Sequence, residues 1–368
     1  MKRRPGLLML ILLSSSTLIA AERWTPEKAN TWYGQQPWLV GCNFAPSTAI
    51  NQLEMWQADT FDLATIDREL GWAQSLGFTS IRVFLHDLLW KQDSQGLLSR
   101  MDQFLAVADK HHIGVMFVIF DGVWDPHPQL GKQREPRPHV HNSGWIQSPG
   151  ADILKDPNQY DSLKPYVQGV LRRFKDDRRV QMWDLFNEPD NRNVSAYGKV
   201  ELANKPDVAL ALLKKAFAWA REVDPSQPLT CAIWDNLQDL QRNPPLFQFM
   251  LDNSDVITFH NYGQPDDMRK DVQALKAKFN RPILCSEFMA RTAKSTFDPI
   301  LATLKAQKVG AYCWGLVDGK TQTIYPWDSW EKTYTAEPPL WHHDIFRKDG
   351  TPYNLKEVEY IKAVTGTK

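Results

Sequence analysis

The sequence predicts an α/β protein of a single domain, a (β/α)8 barrel in which eight parallel strands each feed a helix. Three observations predict it. Short apolar runs alternate with amphipathic segments from residue 38 to the C-terminus; there are eight such runs; and the two longest loops both follow a run. Short, nearly continuous apolar strands belong to a parallel sheet covered by helices, and eight is the number that closes such a sheet.

The elements follow in order. WLVGCNFA (38–45) is the first strand, and the helix FDLATIDRELGWAQSLG (61–77) ends at a glycine suited to a helix C-terminus. FTSIRVFL (78–85), the helix SRMDQFLAVADKHH (99–112) and GVMFVIFD (114–121) come next, then a long loop, a helix near 159–176 and VQMWDLFNE (180–188). The second half repeats the pattern: helix 206–224, PLTCAIW (228–234), a short helix, DVITFHNY (255–262), helix 266–279, RPILCSEFM (281–289), a helix near 298–307 and GAYCWGLV (310–317), with a final helix over 354–364. An open doubly wound sheet is the alternative, but no strand-to-helix turn carries a glycine-rich phosphate cradle.

Residues 1–21 read as a secretory signal peptide: a basic start, an apolar stretch from Leu7 to Leu13, then small residues at Ala20 and Ala21. The stretch is too short for a stable membrane anchor. The barrel is therefore expected over 22–368, as a monomer that is exported (secreted or periplasmic) and has no membrane insertion once the leader is removed. Cys42, Cys231, Cys285 and Cys313 all lie within strand-like runs, where a large core favours buried free thiols over bridges. Lys plus Arg and Asp plus Glu number 43 each, which gives nucleic acid or an anionic membrane no electrostatic purchase. An uncharged partner fits better. The 15 Trp, of which Trp90, Trp124, Trp145, Trp234, Trp314, Trp327, Trp330 and Trp341 fall at strand ends or loops, suit flat ligand faces.

In a barrel of this kind, polar residues at the C-terminal ends of strands face the site. They are Arg82 on the second strand, Asn187 and Glu188 on the fourth, His260 and Tyr262 on the sixth, Glu287 on the seventh and Trp314 on the eighth. Two carboxylates facing one cleft from strands four and seven are what glycoside hydrolysis requires, one to protonate the leaving oxygen and the other to attack the anomeric carbon or activate water. Each Glu has a structural alternative, a cap or an ion pair. Their joint occurrence with His, Tyr and Trp at matching depth favours catalysis.

WDLFNEPDN, with FHNY and ILCSEF, resembles the Asn-Glu-Pro pattern of clan A glycoside hydrolases and is most similar to family five, the cellulase and mannanase family. The resemblance implies a retaining mechanism on β-linked glucan, mannan or xylan-type saccharides, with Glu188 as acid/base and Glu287 as nucleophile. It further implies that Asn187 meets the sugar 2-hydroxyl, that Arg82 and Tyr262 bond the nucleophile, that His260 neighbours the acid/base, and that Trp314 forms the sugar platform. Ionised Glu287 then calls for a lowered pKa and protonated Glu188 for a raised one. One departure stands out. The family's His at the end of strand three is missing, Asp121 and Trp124 occupy that region, and His86 is a candidate to fill part of the space.

Loop residues Asp125, His141, Asn142, Trp145, Trp234, Asp318, Lys320 and Trp341 are further candidates for substrate contact. His111 and His112 end a helix, where a cation complements the dipole. His139, His141, His342 and His343 lie in long active-face loops, where contact with sugar hydroxyls or with a metal is open, but no HExxH or similar spacing marks a metal, so neither metal nor cofactor is expected. A silent carbohydrate-binding barrel would lack a carboxylate, and a metal-dependent barrel hydrolase would show a His/Asp cluster at its strand ends. The two glutamates favour the hydrolase with a carbohydrate substrate.

Overall fold

The computed structural model describes residues 22–234, 237 and 244–367. The predicted leader, residues 1–21, lies outside them. Eight strands form one parallel sheet: β1 (Val40–Asn43), β2 (Ser80–Phe84), β3 (Gly114–Val118), β4 (Val180–Asp184), β5 (Leu229–Thr230), β6 (Ile257–His260), β7 (Ile283–Phe288) and β8 (Gly310–Trp314). Their order, β5-β4-β3-β2-β1-β8-β7-β6, brings β1 beside β8 and leaves β5 and β6 at the seam. An isolated parallel bridge between Ile233 and Phe259 spans the seam, together with a 2.8 Å contact between the Thr230 and Thr258 hydroxyls. The result is the expected (β/α)8 barrel, nearly closed.

Alternation along each strand separates two interiors. Outward side chains, including all four cysteines, pack beneath the helices in the main apolar core, and the cysteines are buried and unpaired. Inward side chains at the lower end (Met116, Met182, Leu284 and Tyr312) form a separate cluster with Leu39 and Val256. Against it lie Trp32 and Tyr33 from a helix, Pro26–Gly34, that the sequence reading left unassigned. Thr25 caps that helix by accepting from the Lys28 N–H, and proline stands in its first turn. It covers the barrel floor, the end opposite the strand C-termini.

The helix expected at 99–112 instead starts at Asp87, with a kink at Asp93. Among the described residues no helix is long and apolar enough to cross a membrane. The loops after β3 and β8 pack on each other: Asn142 N–H donates to Thr321 O at 2.9 Å, and His141 N–H to Ser329 Oγ at 2.9 Å. They build one continuous wall over the active face.

Candidate active site

Glu188 is placed by the extension of the β3–β4 ladder beyond the strands. Asn187 N–H donates to Phe120 O, and Gly122 N–H donates to Asn187 O, both at 2.8 Å. The chain then turns sharply, with Glu188 at φ 38°, a left-handed value that non-glycine residues adopt at a cost. Gly122 permits the turn, since a Cβ there would lie 2.3 Å from Glu188 O.

Glu287 reaches the cleft by another device. Cys285 packs in the outer core, so Glu287, two residues on, would face outward by simple alternation. Strand β7 instead carries one extra residue: Phe259 pairs with Cys285 but His260 pairs with Glu287, and the same shift appears against β8. This bulge reverses the parity and aims the carboxylate inward.

At the centre stands Arg82, fully buried. Its guanidinium donates from Nη1 to Asn43 Oδ1 (2.7 Å) and Glu287 Oε1 (2.8 Å), from Nη2 to Asn187 Oδ1 (2.7 Å) and Asp184 Oδ2 (2.8 Å), and from Nε to Asp184 Oδ2 (3.1 Å). Those bonds occupy the whole donor fork, which is how a cation survives inside a barrel. Tyr262 Oη donates to the other oxygen of Glu287 at 2.8 Å. His260 Nδ1 lies 2.6 Å from Glu188 Oε1 and 3.5 Å from Glu287 Oε2, and Asn191 Nδ2 donates to Glu188 Oε2 at 2.6 Å.

Burial pushes both carboxyls above the ordinary range. The expected division, Glu188 up and Glu287 down, is therefore corrected: desolvation outweighs the pull of His260, Arg82 and Tyr262 on Glu287. The two groups titrate as a pair. Of the two, Glu287 alone is bonded to the buried Arg82 cation, which favours its ionised form. His260 is driven down to about 4 by burial and is neutral.

The cleft holds about 390 Å³ and is lined by both glutamates, Asn187, Tyr262, His141, Asn142, Trp124, Trp145, Trp234, Trp314, Trp327 and His343. Of the tryptophans singled out in the sequence, Trp90 packs on Tyr166 far from it, Trp330 stacks behind Trp124, and Trp341 is buried against Tyr353. Asp125 faces Arg134, and Lys320 pairs with Glu54. Neither these two nor Asp318 and Trp341 line the cleft.

Asp121 supports the site from behind. It accepts from Asn187 Nδ2 (3.0 Å), Trp145 Nε1 (2.7 Å) and Gln52 Nε2 (2.9 Å), and burial moves its carboxyl up to about 6. His86 does not fill the space of the missing histidine. Its buried ring caps the helix that starts at Asp87, with Nδ1 accepting from Leu88 N–H. Sequence reasoning missed Asn191, although it ends the motif, and Lys205. Buried Lys205 donates to Gly122 O and Asn191 O, both at 2.7 Å, and to Glu201, tying together the loops beside Glu188. No spacing in the sequence marks it.

Residues 141–318 match the family described as "Glycosyl hydrolases family 2, TIM barrel domain". No curated protein matches the chain. Among solved structures, a beta-glucosidase designated 1317 aligns at TM-score 0.58 and 11% identity, covering 90% of this chain and 98% of its own. A variant of GH5_18 from Streptomyces cattleya in complex with Manb1-4GlcNAc aligns at 0.57 and 15%, over 88% and 79%. The beta-mannanase of the blue mussel Mytilus edulis aligns at 0.55 and 16%, over 82% and 93%. At these identities the structures speak for the fold, and the resemblance to family five in particular is not confirmed. Taken with the match over 141–318, they support a glycoside hydrolase TIM barrel.

Proposed function

We propose that the protein is a retaining β-glycoside hydrolase that cleaves β-linked poly- or oligosaccharides by double displacement. One observation carries the reading: an oxygen of Glu188 and an oxygen of Glu287 lie no more than 4.8 Å apart, and His260 Nδ1 sits between them, 2.6 Å from Glu188 and 3.5 Å from Glu287. That limit fits the ~5–5.5 Å carboxyl separation of retaining enzymes better than the ~6.5–9.5 Å that leaves room for a water in inverting ones.

In the first step Glu287, held by Arg82 and Tyr262, attacks the anomeric carbon. The bond to the leaving oxygen breaks as Glu188 transfers its proton to that oxygen, and a glycosyl ester on Glu287 results. In the second step Glu188, now ionised, takes a proton from water, whose oxygen displaces Glu287. The neutral His260 keeps Glu188 oriented in both steps. Asn187 and half-buried Trp314 line the same cleft, which supports their assignment to the sugar 2-hydroxyl and the sugar face.

A beta-mannanase, a beta-glucosidase and a protein bound to Manb1-4GlcNAc among the structural neighbours frame the class without choosing the configuration. The leader-like N-terminus supports export, which cell fractionation with and without residues 1–21 would test. The mechanism is tested with Glu188→Ala and Glu287→Ala on a panel of aryl β-glycosides and soluble glycans. The expected result is near-complete loss in both, with azide restoring turnover of the Glu287 variant as a glycosyl azide of inverted configuration. Parental rates in either variant would refute it.

A further inference from the structure

Beside the cleft, two loops distant in sequence bring three histidines to one point. One ring nitrogen each of His141, His342 and His343 lies within 4.8 Å of the others, and all three residues are buried. Every Nδ1 is already engaged: His141 with Tyr325 O at 2.7 Å, His343 with Met289 O at 2.6 Å, and His342 with Thr292 Oγ1 at 2.5 Å. A carbonyl only accepts, so His141 and His343 carry their protons on Nδ1 and leave Nε2 as a bare lone pair. His342 Nε2 is buried with no partner at all.

The backbone under these rings is fixed. His342 N–H donates to Ile324 O and His343 N–H to Thr323 O, while Arg291, paired with Glu357, donates to the carbonyls of His343 and Asp344. Trp330 Nε1 holds His141 O at 2.9 Å. In His141 and His343, Nδ1–H on a carbonyl with Nε2 left free is the arrangement that metal-ligating histidines adopt, and in His342 a threonine hydroxyl takes the carbonyl's place.

We propose that His141, His342 and His343 form a three-histidine site for a divalent transition-metal ion of the zinc class, with its fourth position open toward the cleft. His141 and His343 line the cleft, so that position faces it. An all-nitrogen donor set disfavours calcium and magnesium, which take oxygen ligands. Tetrahedral Zn–N bonds of about 2.0–2.1 Å need nitrogens about 3.4 Å apart, so the rings need close by no more than about 1.4 Å on binding. The ion would clamp the loop after β3 to the loop after β8, directly behind Trp327, whose ring is 4.4 Å from His342, and Tyr262, 5.6 Å from His343. This site does not depend on the hydrolytic assignment.

The test strips the protein with a chelator and titrates it with Co²⁺ and Zn²⁺. The expected result is one ion per chain, the intense visible absorption of four-coordinate cobalt, and a zinc-dependent rise in Tm. His342→Gln and His343→Gln should weaken binding by at least about 100-fold. Glu287→Gln should retain it, which separates this site from the Glu188, His260 and Glu287 group. X-ray absorption on the cobalt form of the parent counts imidazoles without relying on a variant's folding, and three are expected. No stoichiometric binding, fewer than three imidazoles, or a cobalt spectrum that survives in folded histidine variants or disappears in Glu287→Gln would overturn the proposal.

Discussion

At the scale of residues, Arg82 holds the site together. Its guanidinium joins Asn43, Asp184, Asn187 and Glu287, four residues from three other strands and their extensions, and is itself fully buried at the base of the cleft. Removing it leaves the buried carboxylates of Asp184 and Glu287 without the cation they share. Arg82→Met should therefore destabilise the fold by about 3–5 kcal/mol in denaturant unfolding, with activity falling further than the lost stability explains. A variant with parental stability would show that the carboxylates find another partner or stay protonated. This residue, both glutamates, Asn187, His260, Tyr262 and Trp314 were legible because each ends an apolar run, and polar groups there have one place to point. Asp121 and His86 were harder. Position at a strand end does not reveal whether a side chain faces the cleft, as neither does, or braces the groups that do.

At the scale of elements, precision comes from two local irregularities. The bulge in β7 reverses the alternation that would bury Glu287 under the helices, and the tight approach at Gly122 allows the left-handed turn at Glu188. Strand periodicity announces neither. The sequence located Glu287 by its motif, and alternation from Cys285 would have turned it the wrong way. Gly122→Ala tests the turn: its Cβ would meet Glu188 O at 2.3 Å, so the strand end must shift. A displacement of about 1 Å should lower kcat by about 10²-fold, measured on any glycoside the parent cleaves. An unchanged kcat would mean that the carboxyl position tolerates backbone movement. The tryptophans teach a related lesson, since loop position alone did not separate Trp124, Trp145, Trp234 and Trp327 in the cleft from Trp330 and Trp341 behind it.

At the scale of the whole molecule, the loops over the active face bury titratable groups, and stability should follow pH accordingly. Asp344, buried beneath the β8 loop and bonded to Thr323 at 2.7 Å, has its carboxyl pushed up to about 7 by desolvation. In the unfolded chain an Asp ionises near ~4. Between those values the unfolded form has released a proton that the folded form keeps, so this group's contribution to stability is present at low pH and is lost as pH rises from about 4 to about 7. Asp344→Asn removes that dependence. Its Tm deficit against the parent should shrink between pH 5 and pH 8, and a constant deficit would contradict the assignment. The eight-strand pattern was legible end to end. The approach of His141 to His342 and His343 was not, because it arises when two loops about 200 residues apart fold over the same rim.

The central claim, that Glu188 and Glu287 act on opposite sides of one anomeric centre, is tested most directly by the configuration of the first-formed product. Proton NMR of an aryl β-glycoside or β-linked oligosaccharide during early turnover by the parent should show the β-anomer appearing first, before mutarotation. Initial release of the α-anomer would mean a single displacement and would contradict the account.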